Sequence, residues 1–228
     1  MNVSAVTYSV GVKVGDWAEY DFLLDWRSDP AQPEPTDVKQ VKQINYTRVE
    51  VKQISGTTVT LHETTHFKNE SKIINVYVGD IKKGTGNLSF AIVASNLREG
   101  DQVSEEPSHP VINATIFNNY AGVTREVNYA SGEMGTQDTG NWSAVVLYWD
   151  KKTGFLCQMG IGSRVFIENY KIESFTKWNM TRTNLWQPVT NPSIAVPEWA
   201  GFAVFVIIII CVIYFVFKRR PSKRLKRR

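Results

Sequence analysis

Apolar and polar side chains alternate with a period of two through most of the first 186 residues, and this restricts the fold more than any other feature. In Trp17–Trp26 (WAEYDFLLDW), Tyr20, Phe22, Leu24 and Trp26 fall on one face, while Glu19, Asp21 and Asp25 fall on the other. Successive side chains of a strand point to opposite faces, so the pattern is that of a half-buried strand. Gln40–Ile54 and Thr57–Phe67 are β-branched-rich runs, and Ser55-Gly56 between them predicts a hairpin. Ser28–Asp37, with three prolines, predicts an exposed loop. Lys68–Ser71 turns the chain into Lys72–Val78, and Gly79–Asn87 is a Gly- and Lys-rich turn region. Further strands are expected at Val111–Phe117, Val123–Tyr129, Ala144–Trp149 and Phe155–Met159, with Gly154 suited to a left-handed turn position. Arg164–Trp186 supplies the last strands. Leu88–Leu97 (LSFAIVASNL) is the one helix candidate, with buried strand as its competitor.

These elements predict a mainly β chain. Residues 1–186 form a single antiparallel meander domain with at most one short helix. A meander of this length has an apolar face to protect, so it curls into a half-barrel or folds as a two-sheet sandwich. Residues 187–198 contain three prolines and read as a short stalk.

Residues 199–217 (WAGFAVFVIIIICVIYFVF) carry no charge, and as a helix they reach about 28 Å, against roughly 30 Å of bilayer hydrocarbon. This predicts one C-terminal transmembrane helix. Eight Lys and Arg follow in residues 218–228, which marks that end as a cytoplasmic tail and places the N-terminal domain outside the cell. Without the tail, the rest of the chain holds 18 basic and 22 acidic residues, scattered along its length. No phosphate-tracking stripe exists, so nucleic acid is not an expected partner. The lipid bilayer is.

Seven Asn-x-Ser/Thr tripeptides precede the span, at Asn2, Asn45, Asn69, Asn87, Asn113, Asn141 and Asn179; chance gives about two in this composition. The excess agrees with an outside location and makes all seven N-glycosylation candidates. The two cysteines, Cys157 and Cys211, fall in the domain and in the span, so no disulfide is expected. Residues 1–12 have neither a basic n-region nor an apolar h-region, so an exported domain implies a leader ahead of Met1 or one already removed.

One motif invites chemistry. His62-Glu63-Thr64-Thr65-His66 matches the H-E-x-x-H of zinc peptidases, in which a helix brings two His onto one metal and the Glu polarises its water. Here Val59, Leu61, Glu63, Thr65 and Phe67 alternate with Thr60, His62, Thr64 and His66, as a strand does. On a strand the two His stand about 13 Å apart, too far for one zinc, so neither metal nor catalytic residues are expected. Cys157 has no family signature around it, and Gly84-Thr85-Gly86-Asn87 lacks the length and the Lys-Ser/Thr of a phosphate loop. Glu105-Glu106 and Asp150 show no calcium-loop spacing. Trp142, Trp149, Trp178 and Trp186 are core candidates that could also line a groove. No cofactor is implied.

Val14-Gly15-Asp16-Trp17-Ala18-Glu19-Tyr20, Asn96-Leu97-Arg98-Glu99-Gly100-Asp101, Tyr148–Leu156 (YWDKKTGFL) and Thr183-Asn184-Leu185-Trp186 together resemble uncharacterised archaeal membrane-anchored surface proteins of the Bathyarchaeota kind. The resemblance implies location and no known activity. Pro197, Glu198 and Trp199 before the span resemble the sorting signal of PEF-CTERM-type proteins, with Trp in place of Phe; retention of the span is expected and processing near Pro197 is the alternative. The leading expectation is a single-pass surface glycoprotein of the archaeal envelope with a non-enzymatic interaction domain that contacts other envelope proteins. A lipid- or small-ligand-binding half-barrel, similar to lipoprotein carriers, is the second, and a zinc hydrolase using His62, Glu63 and His66 is the remote third.

Overall fold

The computed structural model describes residues 6–88, 90–135, 140–167 and 169–187. Ten strands run through them: β1 (Trp17–Asp29), β2 (Ile44–Ser55), β3 (Thr58–Phe67), β4 (Lys72–Asp80), β5 (Thr85–Gly86), β6 (Ala114–Tyr120), β7 (Val123–Gly135), β8 (Trp142–Asp150), β9 (Leu156–Ile167) and β10 (Tyr170–Thr183). They form one antiparallel sheet in the order β5-β4-β3-β2-β1-β10-β9-β8-β7-β6. The expected antiparallel meander is present, but its first and last strands meet at the centre of the sheet. Their register runs from Ala18↔Thr183 to Asp29↔Lys171, with one shift at Glu19/Tyr20. That long pairing fuses the two halves of the chain into a single sheet, so the sandwich alternative is not what forms. The sheet is not closed; β5 and β6 are its edges.

Short-range turn chemistry accounts for the hairpins. Gly56, with φ +59, lies in the turn between β2 and β3, and Ala121-Gly122, both at positive φ, joins β6 to β7. The start of the second strand differs from its expected place at Gln40. Thr36–Val41 forms a short helix, α1, entered at Pro35 and carrying Asp37 in its first turn. Proline fixes the entry angle and a carboxylate favours a helix start, so the end of the proline-rich loop coils before β2 begins.

Leu88–Leu97 is not a helix. Ile92, Val93, Ala94 and Leu97 are all buried, so apolar contacts surround this segment instead of following one helical stripe. Its backbone groups pair outward: Val93 N donates to Gly154 O, Ser95 N to Ser9 O and Asn96 N to Lys151 O, while Leu156 N donates to Ala91 O. Phe90 and Asn96 sit at φ +62 and +58, which breaks any helical run. The connection from β5 to β6 (residues 87–113) therefore crosses one face of the sheet, in its described residues, as irregular chain bonded to distant segments. That face, the inner one, can be traced by register: Val51↔Leu61↔Tyr77 and Val49↔Glu63 on one side, Phe22↔Trp178↔Met159↔Leu147↔Ala130 on the other. Val51, Val59, Leu61, Leu147, Trp149 and Phe155 form the centre of the core.

All ten strands and the whole core cluster lie between Val12 and Trp186, inside a compact unit that ends at Pro188. The expected stalk beyond that unit, the span at residues 199–217, the basic tail and the Pro197-Glu198-Trp199 motif lie outside the described residues. Among the described residues no helix is long and apolar enough to cross a membrane.

Gly154 offers a direct test of how the crossing segment is held. It sits at φ +73, and a Cβ there would stand 2.0 Å from Val93 O. Gly154→Ala is expected to cost at least about 2 kcal/mol, the left-handed penalty plus displacement of Val93. Gly56→Ala, at φ +59 in open space, carries the backbone penalty alone. Urea midpoints of the two variants check this; equal losses at both sites would mean that the Val93 carbonyl yields without cost.

Candidate functional site

Strand β3 splits the H-E-x-x-H motif between two faces. His62 lies opposite Glu50 and Val76 on the outer face, and His66 stacks on Tyr46 with ring centroids 4.3 Å apart. Glu63 projects to the inner face, paired in register with Val49 and Asn75. The two imidazoles and the carboxylate therefore do not converge. Among the described residues no three His, Cys, Asp or Glu side chains come together as a metal site.

Glu63 instead faces a groove between the crossing segment and the sheet. The groove has a volume of about 280 Å³ and is lined chiefly by Tyr20, Val49, Tyr77, Leu88, Leu156, Met159 and Trp178. Its apolar end is fixed by Tyr20, whose hydroxyl donates to Leu156 O at 2.6 Å. Complete burial raises the Tyr20 phenol well above its ordinary range, so this hydroxyl stays a neutral donor. At the polar end, Tyr77 OH and Asn75 Nδ2 each donate to Glu63 Oε1 at 3.3 Å. Burial first, then the adjacent Glu63 carboxylate, raise the Tyr77 phenol as well. Among the described residues that line the groove, Glu63 is the only Asp, Glu, Lys, Arg or His. A second recess of about 290 Å³ lies across the same face, against Pro110, Ala130, Val145, Leu147 and Ile161. The inner face is thus covered by residues 87–113 without being filled.

Other candidates resolve into structure. Trp149 is core, Trp178 lines the groove, Trp186 is buried, and Trp142 lies half-buried against Gly162. Cys157 is fully buried, and burial raises its thiol far above the nucleophilic range, with the Asp150 charge adding to the effect. Asp150 is held by the Arg125 guanidinium and by Thr153, and Glu105 pairs with Lys82 at 3.5 Å. The fold makes one pair that no sequence spacing suggested: Ser104 Oγ lies 2.7 Å from His109 Nδ1 beside a cavity of about 220 Å³. Ser104 is buried, and its Oγ also accepts from Glu106 N, so the pair ties the 104–109 turn together and its hydroxyl is not presented as a nucleophile.

Of the sequons, Asn45, Asn69, Asn87, Asn113 and Asn141 are exposed, at strand starts or turns. Asn179 is half-buried in β10, between Asp21 and Gln158 of its two neighbouring strands. Asn2 lies outside the described residues. At Asn69 the side-chain oxygen accepts from Ser71 N and Ser71 Oγ. Comparison with protein-family models and with curated proteins gives no match.

Proposed function

We propose that this chain is a single-pass, membrane-anchored cell-surface glycoprotein whose β domain is a non-enzymatic, half-barrel binding module for a single-chain apolar ligand. The observation that carries the ligand reading is the unfilled inner face. A well-packed core leaves few voids larger than a water, yet an apolar groove of about 280 Å³ with one polar end remains between residues 87–113 and the sheet. Its volume lies at the lower end of ligand pockets, which fits one chain better than a two-chain lipid. The anchor and the outward orientation are supported by the uncharged run at 199–217, the eight cations after it and the excess of sequons. Five of those sequons sit on exposed positions that a glycan could occupy without entering the groove.

A second reading, a domain that works by contacting other envelope proteins, is favoured by β4. Strand β5 pairs only with Gly79 and Asp80, so the rest of β4 is an edge, and Ile73, Ile74 and Val76 on it are each more than half exposed. Native mass spectrometry of residues 1–187, which contain the whole sheet and core, separates the two. A co-purifying small amphiphile on a monomer supports the groove; an empty domain associated with a second polypeptide supports the edge.

A further inference from the structure

We infer, on the basis of that ligand-binding reading, that the groove takes a single-chain amphiphile with a cationic, amine-type head, and that Glu63 is the residue that selects it. The groove is polarised. Tyr20, Leu156, Met159 and Trp178 make an apolar end, and Glu63 with Tyr77 makes the other. An alkyl chain in the first leaves its head against the carboxylate.

The charge at that head position is set by what Glu63 lacks. None of the ion pairs among the described residues involves it; Glu19, Glu34, Glu50, Glu105, Glu126 and Glu173 all have Lys or Arg partners. The two groups that reach Glu63 are neutral donors at 3.3 Å, the long end of hydrogen bonding, and both use Oε1. An ionised carboxyl offers about four acceptor positions, so Oε2 keeps its capacity for a ligand. A carboxylate beside low-dielectric walls, with no Lys, Arg or His among the described residues of the groove wall, attracts an ammonium and repels a second carboxylate. A fatty acid, the commonest single-chain amphiphile, is therefore the ligand this groove disfavours. A fatty alcohol can donate a hydrogen bond to Oε2 without gaining the ion pair, so it falls between the two.

The sheet supplies the positioning. Glu63 stands on β3, flanked on both sides by long paired strands, β2 and β4, and its parity on the strand sends it inward while His62 goes outward. The side chain is held at the groove mouth by Tyr77 and Asn75 from the neighbouring strand.

The test uses residues 1–187 with N-phenyl-1-naphthylamine as the groove reporter, displaced by dodecylamine, dodecanol or dodecanoate at pH 7 below their aggregation limits. In the unaltered domain, dodecylamine is expected to displace the reporter at least tenfold more effectively than dodecanoate, with dodecanol between them. In Glu63→Gln, which keeps the shape and the neutral hydrogen bonds, dodecylamine and dodecanoate should come within about twofold of each other. Dodecanol should change by less than twofold, which also shows that the variant folds and keeps its groove. Equal displacement by amine and acid in the unaltered domain overturns the head assignment while the groove reading stands, as does a preference for the amine that survives in Glu63→Gln. If none of the three displaces the reporter, the groove reading itself fails and takes the head assignment with it.

Discussion

Trp149→Ala is expected to lower the stability of the domain by about 3–5 kcal/mol, read as a fall in the urea midpoint at an unchanged denaturant slope. The indole is fully buried in β8, at the centre of the core, and its Nε1 donates to Phe90 O at 2.8 Å. Two losses coincide in the alanine variant. A cavity of aromatic size opens under residues 90–94, and the Phe90 carbonyl is left without its donor inside the protein. Phe90 also holds an unfavourable backbone angle, φ +62, which only surrounding contacts maintain. A domain of this kind has roughly 5–15 kcal/mol of stability in total, so the substitution removes about a fifth of it or more. Trp142→Ala is the comparison. That indole is only half-buried and its Nε1 has no hydrogen-bond partner among the described residues, so its removal forfeits packing against Gly162 and no polar contact. A loss below about 1 kcal/mol at Trp149 would mean that the crossing segment is not fastened to the sheet through this ring.

The difference between these two tryptophans illustrates what could be seen in advance and what could not. Local periodicity made the strands visible: the alternation in Trp17–Trp26 and the Ser55-Gly56 hairpin appear almost where they were expected, because each depends on residues adjacent in the chain. Parity within β3 also put Glu63 on the face opposite His62 and His66. What parity leaves open is which face covers the groove, since that depends on where residues 87–113 cross the sheet. Leu88–Leu97 defeated the same method for a related reason. Its continuous apolar character records burial on all sides, and helix, strand and irregular chain satisfy that equally well. The outcome was decided by partners distant in sequence, Gly154 O, Ser9 O and Lys151 O. The pairing of β1 with β10 is likewise a long-range choice, about 150 residues apart, that no hairpin signal encodes. The Ser104–His109 pair needed a turn whose shape no single residue announced.

Arg125→Met should be the most damaging change on the opposite side of the sheet from the groove, at about 3–5 kcal/mol. Asp150, which closes β8 within the YWDKKTG run, has a fully buried side chain, and Arg125 Nε donates to its Oδ2 at 2.7 Å. The other carboxylate oxygen accepts Thr153 N at 2.8 Å and Thr153 Oγ at 2.9 Å, which shapes the turn that carries Gly154. Arg125 is itself only partly shielded, with its guanidinium 4.7 Å over the Trp186 ring. Methionine preserves much of the stacking contact and the aliphatic volume, so the cost isolates the charge: a buried carboxylate is left with neutral donors alone. Replacing both members, Arg125→Met with Asp150→Asn, removes the stranded charge while an amide oxygen can still accept from Thr153. The double variant should therefore lose less than the Arg125 single variant, by about 2 kcal/mol, when urea midpoints are compared in a double-mutant cycle. Additive losses in that cycle would mean that the ion pair does not govern the turn. The groove provides the second check, because Arg125 and Asp150 lie outside its lining: reporter binding by the folded fraction should stay unchanged while stability falls.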